Sequence, residues 1–239
     1  ISVNRLGVVT PPIIGAQLVP ARVRLGLALA MTVVLVPVLP SAPPLDALAL
    51  STWLLVAQEI LVGVLFGFTL QLFFHVFAIA GQIVTTQMGL GFASTIDPSN
   101  GVSVAVLSQF LLMLVTLMFL AMNGHLVVFE ILAESFITLP LGSGLQISHY
   151  GEVAGRLGWV LGAGLLLSLP MVTALLVINI AFGVMTRAAP QLNIFAIGFP
   201  LTLVMGLFIT WAGTADIFSQ YQVLAVEALR WLRELAQAR

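Results

Sequence analysis

Lysine and cysteine are both missing from this sequence of 239 residues. Without cysteine there is no disulfide and no thiolate metal site. Without lysine there is no G-x-x-x-x-G-K-[ST] phosphate loop, so any ATP-driven step belongs to another protein. Charge of either sign is scarce. Only 7% of residues are charged, against about 25% in an ordinary soluble domain. The eight basic residues are all arginines and the net charge is −1, which leaves no basic footprint for nucleic acid. His75, His125 and His149 stand far apart and none belongs to an H-E-x-x-H pattern. Gly89-x-Gly91 lacks the third glycine, the preceding strand and the downstream acid of a dinucleotide site. No catalytic constellation is present, and no enzyme activity, cofactor or metal is expected.

What the chain has instead is apolar length. Hydrophobic residues make up 60% of it and the mean hydropathy is +1.16. Residues 60–96, 98–129, 157–186 and 188–215 contain no acid and no arginine, and each exceeds the roughly 18 residues that mark a spanning helix. The expected class is all-α and membrane-embedded. Simple spans fit poorly, however. Residues 45–88 would make one helix of about 60 Å, twice a bilayer core of about 30 Å, with only Gln58 and Glu59 to mark a turn. Asn123-Gly124 is a turn signal that leaves 104–122 as a full span and 126–139 as a short one carrying Glu130 and Glu134. Pro170 and Pro200 are expected to kink or break their helices. These lengths describe long, bent and half-length helices folded into hairpins, with neighbouring protein covering the backbone groups that lipid cannot satisfy.

Residues 216–239 form a separate pattern. Ile217, Tyr221, Leu224, Ala228, Trp231 and Leu235 make an apolar stripe, while Glu227, Arg230, Arg233 and Glu234 lie off it. This is an amphipathic helix, set at the membrane surface or against its own bundle in one reading, docked to a partner helix in the other. The pairs Gly63/Gly67, Gly151/Gly155 and Gly158/Gly162 predict close helix packing. Glu59 and His75 are intramembrane ionisable residues. Both are expected to be structural: Glu59 at a hairpin turn, His75 bonded to a neighbouring helix.

The segment QMGLGFASTIDPSNG, residues 87–101, is a connection with one acid, Asp97, and several apolar residues. Its Gly, Ser, Asn and Pro would suit an ordinary turn, but a turn does not need Met88, Leu90 and Phe92. Taken with VPARVRLGLALA (19–30), FLAMNGHL (119–126), SFITLPLG (135–142) and RAAPQLNIFAIGFPLTL (187–203), it resembles the FliR family of flagellar type III export-gate proteins. The motifs follow the family's order and cover nearly the whole chain. The related injectisome family, SctT, is the near alternative.

The resemblance implies a non-enzymatic component of the export gate, one domain over 1–239 whose first helix is cut short. It implies assembly with FliP and FliQ into a helical hetero-oligomeric ring of tilted, kinked hairpins in the bacterial inner membrane, at the flagellar basal body. Part of that ring projects to the periplasmic side, and membrane lipid is a further contact of the protein. FlhB wraps the cytoplasmic side, and exported flagellar proteins are the cargo. By position, residues 88–103 correspond to the family's pore loop. Gly89, Gly91 and Gly101 would permit rearrangement, Met88, Leu90, Phe92 and Ile96 would form an apolar constriction, and Asp97-Pro98 would end the mobile part. Arg187, Pro190, Gln191 and Asn193 are the expected FlhB contact. Outside this family, a polytopic secondary transporter with broken helices and a purely structural membrane scaffold stay open.

Overall fold

A computed structural model describes residues 20–35, 37, 49–89, 106–140, 142, 145–188 and 194–238. Among them the fold is all helical, with seven helices and no strand. These are α1 (Ala21–Leu35), α2 (Leu50–Gln87), α3 (Val106–Ala121), α4 (Gly124–Thr138), α5 (Ile147–Ala188), α6 (Ile194–Ala212) and α7 (Thr214–Ala236). Two helices, α2 and the 148–188 part of α5, are long and apolar enough to cross a membrane. The number rises to four if the bent pairs α3/α4 and α6/α7 each count as one span.

The breaks follow backbone chemistry. Asn123 takes the left-handed conformation, φ 58°, which Asn tolerates better than most residues. There α3 and α4 meet at 69°. At the next position, Gly124 leaves room for the Phe119 ring: an added Cβ would stand 2.5 Å from it, so the ring would have to shift. Gly213 separates α6 from α7 at a 54° bend.

Two sequence expectations need correction. Gln58-Glu59 makes no turn: α2 runs unbroken over 38 residues, and Glu59 is buried inside it. Two polar residues do not outweigh the apolar, hydrogen-bonded run on either side of them. Of the kink or break expected at Pro170 and Pro200, the break does not occur: α5 and α6 continue through them. A proline removes one backbone bond, and nearby hydroxyls support the carbonyls around it. Around Pro170, Ser168 Oγ donates to Leu165 O at 2.9 Å and Thr173 Oγ1 to Leu169 O at 2.9 Å.

The chain divides into two compact units. The first comprises 1–74, 116–157 and 225–239. Its core holds Phe66, Phe73, Phe74, Phe119, Ile131, Phe136, Trp231 and Leu235. Phe74 meets Phe73 edge-on at 4.9 Å and Phe119 at 5.4 Å, geometries that favour aromatic quadrupoles. The end of α7 is tied in by polar contacts. Thr138 Oγ1 donates to Ala236 O, Gln237 Nε2 to Glu134 Oε1 at 3.1 Å, and the Arg156 guanidinium lies 4.6 Å over the Trp231 ring.

The second unit comprises 75–115 and 158–224. Val76, Phe77, Val84, Met88, Leu111, Val115, Leu175 and Tyr221 are buried there. Phe77 and Tyr221 face each other at 6.4 Å. The whole apolar stripe of α7 is buried within the chain, Ile217, Tyr221 and Leu224 in this unit and Ala228, Trp231 and Leu235 in the first.

Two close approaches use glycines outside the spaced pairs, while Gly63 and Gly67 are buried in α2. A Cβ on Gly81 would meet the Ser108 backbone at 2.6 Å, and one on Gly164 would meet Ile79 at 2.8 Å. By contrast Gly151, Gly155, Gly158 and Gly162 have nothing within 4 Å of an added Cβ. Their spacing creates a smooth stripe on α5, but among the described residues no helix lies on it.

Candidate functional site

Of the residues expected to form the pore loop, the structure describes Met88 and Gly89. Leu90, Gly91, Phe92, Ile96, Asp97, Pro98 and Gly101 lie outside the described residues. So do Pro190, Gln191 and Asn193 of the expected partner contact. Arg187 stands exposed in the last turn of α5, where a cation complements the negative end of the helix dipole.

At Met88 the chain leaves α2. The Met88 N–H still donates to Val84 O at 2.9 Å, and the Gly89 N–H donates to Thr86 O at 3.0 Å. Gly89 then turns with φ 81°, a conformation nearly reserved for glycine. The Met88 side chain is only 1% exposed. It fills the hollow left by Gly206 of α6, where a Cβ would lie 2.5 Å from Met88 Cγ, 2.7 Å from Cε and 2.8 Å from Sδ. Two polar side chains reach carbonyls at the helix end, which have no intrahelical donors. Asn179 Nδ2 of α5 donates to Gln87 O at 3.4 Å, and Thr202 Oγ1 of α6 donates to Met88 O at 3.5 Å.

The other junction of residues 90–105 is similarly tight. Ser108 Oγ, near the start of α3, donates to Ala78 O of α2 at 2.8 Å. Gly81 lets the backbones of α2 and α3 meet beside that bond. Sequence reasoning missed Gly81, Asn179, Thr202 and Gly206. The available signal was a lone glycine within a strongly apolar helix, which lacks a packing rationale until its neighbour is known.

Nothing in this arrangement supplies a nucleophile with a base, and among the described residues no group of three or more His, Asp or Glu could hold a metal. The chemistry available is packing, backbone capping and apolar surface. That surface is concentrated on α5: only 17% of its apolar window is buried within the chain, against 67% for α2. Leu161, Leu166, Val177 and Val184 are each more than three-fifths exposed. Beside them, in the second unit, an open cleft of about 550 Å³ is lined by Trp159, Gly162, Leu166, Gln220 and Leu224 among others.

Known proteins resemble the chain along most of its length. The sequence model of the family described as "Bacterial export proteins, family 1" matches residues 6–228. The chain is 41% identical over 200 residues to the flagellar biosynthetic protein FliR of Pectobacterium carotovorum, an alignment covering 83% of this chain and 76% of that protein. Identity to FliR of Escherichia coli is 43% over 201 residues, with 83% and 76% covered. A more distant relative is the surface presentation of antigens protein SpaR of Shigella flexneri, 29% identical over 166 residues, covering 70% of this chain and 64% of that one.

Proposed function

Because the chain belongs to the bacterial export proteins, family 1, as a member of the FliR group, we propose that it forms and gates the type III export channel together with FliP and FliQ. It is a membrane-associated component of flagellar protein export and works with other export-gate proteins. In this reading it is non-enzymatic: the channel passes exported flagellar proteins, and the driving energy is supplied elsewhere. It sits in the inner membrane at the flagellar basal body, in a ring that projects to the periplasmic side. FlhB docks near Arg187, Pro190, Gln191 and Asn193. The single observation that carries the proposal is the match of one export-family model to residues 6–228.

The exposure of α5 supports the partnership. A helix with 17% of its apolar window buried, and with a glycine stripe open to close approach, needs lipid or other protein against it. Partner helices suit the glycines, because small residues let backbones come close while lipid chains gain nothing from them.

Residues 88–103 are the proposed gate. An apolar constriction closes a pore by excluding water, and Leu90, Phe92 and Ile96 provide the side chains for one. Shortening the segment within 89–94, or replacing Gly89 and Gly91 by bulky residues, should change ion leak or export of an assembled complex. Conductance across reconstituted membranes and secretion of flagellar subunits are the measurements. Unchanged values in a complex of normal composition would reject the gate.

A further inference from the structure

The described contacts at Met88 form an interlock within the second unit. The side chain occupies the place of a Gly206 Cβ, 2.5 Å from Met88 Cγ. One C–C bond of about 1.5 Å separates Cγ from Met88 Cβ. The Cβ position of residue 88 and that of residue 206 therefore lie within about 4 Å of each other. Thr202, one turn before Gly206 on α6, donates to Met88 O, and Asn179 of α5 donates to Gln87 O. Two helices thus hold one helix end by a knob in a socket and by two hydrogen bonds to its last carbonyls. A buried methionine in a glycine socket resists displacement, because withdrawal leaves a void and advance makes a clash. The first residue after it is Gly89 at φ 81°, the first position with conformational freedom.

We propose that Met88, Gly206, Thr202 and Asn179 form a fixed mount that stays closed throughout export. Gly206, Thr202 and Asn179 are then positioning residues that act through Met88. The proposal rests on the gate reading of residues 88–103 and sharpens it: Met88 belongs to the frame.

The absence of cysteine makes a clean test available. The pair Met88→Cys and Gly206→Cys has Cβ positions no more than about 4 Å apart, below the upper limit of about 4.5 Å for a disulfide. In membranes carrying the assembled complex, oxidation should crosslink this pair, and export by the crosslinked complex should stay within about twofold of the same complex after reduction. Loss of export on oxidation that returns on reduction overturns the proposal, because the mount must then open. Failure to crosslink in a complex of normal composition overturns the contact itself.

A second readout separates positioning from bulk stability. Gly206→Val should raise ion leak about fivefold or more by pushing Met88, and Met88→Ala in the same chain should bring the leak back towards the parent value. An unchanged leak in Gly206→Val overturns the positioning role. The gate reading fails by a different result, a deletion within 90–94 that alters neither leak nor export.

Discussion

Gly81→Ala adds one methyl group where the backbones of α2 and α3 come close in the second unit. Its Cβ would stand 2.6 Å from Ser108 Cα, 2.8 Å from Ser108 N and 3.1 Å from Leu107 O. An unstrained contact between carbons needs about 3.5–4.0 Å, so α2 and α3 must separate by roughly 1 Å. The opposing atoms are backbone and cannot swing aside. Overpacking of this kind costs about 1–3 kcal/mol. The same displacement stretches the 2.8 Å bond from Ser108 Oγ to Ala78 O, placing a further ~0.5–1.5 kcal/mol at risk. Alanine recovers about 0.5–1 kcal/mol of backbone entropy in the helix. A net destabilisation of about 1–3 kcal/mol remains, most of it from overpacking. Gly155→Ala is the matched control: nothing lies within 4 Å of its Cβ, so the entropy gain should appear alone. The assay is denaturant unfolding of the chain in detergent micelles, followed by tryptophan fluorescence and circular dichroism. Equal stability of the two variants, or a more stable Gly81→Ala, would refute the reasoning.

Two further predictions concern the first unit. Arg156→Ala removes the cation over the Trp231 ring at 4.6 Å and the 3.4 Å ion pair with Glu234. Because Glu234 is 52% exposed, the ion pair counts for little, and the expected loss is about 1 kcal/mol, mostly cation–π and packing. It should change little with salt and should shift Trp231 fluorescence; a strongly salt-dependent loss would reverse that ranking. Asn123→Val places a β-branched residue at φ 58° and should destabilise by about 1–2 kcal/mol, whereas Asn123→Gly should be tolerated. Unfolding midpoints for the pair decide it, and equal midpoints would deny any strain at the bend.

The legible features are those in which a single residue's chemistry determines local structure. The Asn123-Gly124 break is one, because few side chains tolerate a positive φ and Asn is among them. The end of α5 at Ala188 is another, since Pro190 excludes the α region for the residue before it. The C-terminal stripe is readable because charge and apolar residues alternate there with a helical period. Gln58-Glu59 misleads for the opposite reason. Polar residues mark turns when water is the alternative, yet Glu59 is 1% exposed within an unbroken helix. Nor do the prolines break their helices, because a long apolar helix absorbs one missing bond.

The site is legible only in part. Gly89 stands out in the sequence for its freedom, and it does take a positive φ. Met88 reads as an adaptable apolar seal, but nothing around it signals its deep burial against Gly206. No feature of the stretch LVMGLF (203–208) shows which residue will press against Gly206.

Sequence alone determined the solvent and the class. With 60% apolar residues, 7% charge and no lysine or cysteine, the chain must bury itself in membrane or protein and can form neither a disulfide nor a lysine-bearing phosphate loop. Motif order supplied the family. Only the tertiary structure decided which faces meet. In helices that are apolar on every side, hydrophobic periodicity carries almost no information about direction, so burial depends on shape. Shape depends on partners distant in sequence, as Met88 on Gly206 and Ser108 on Gly81.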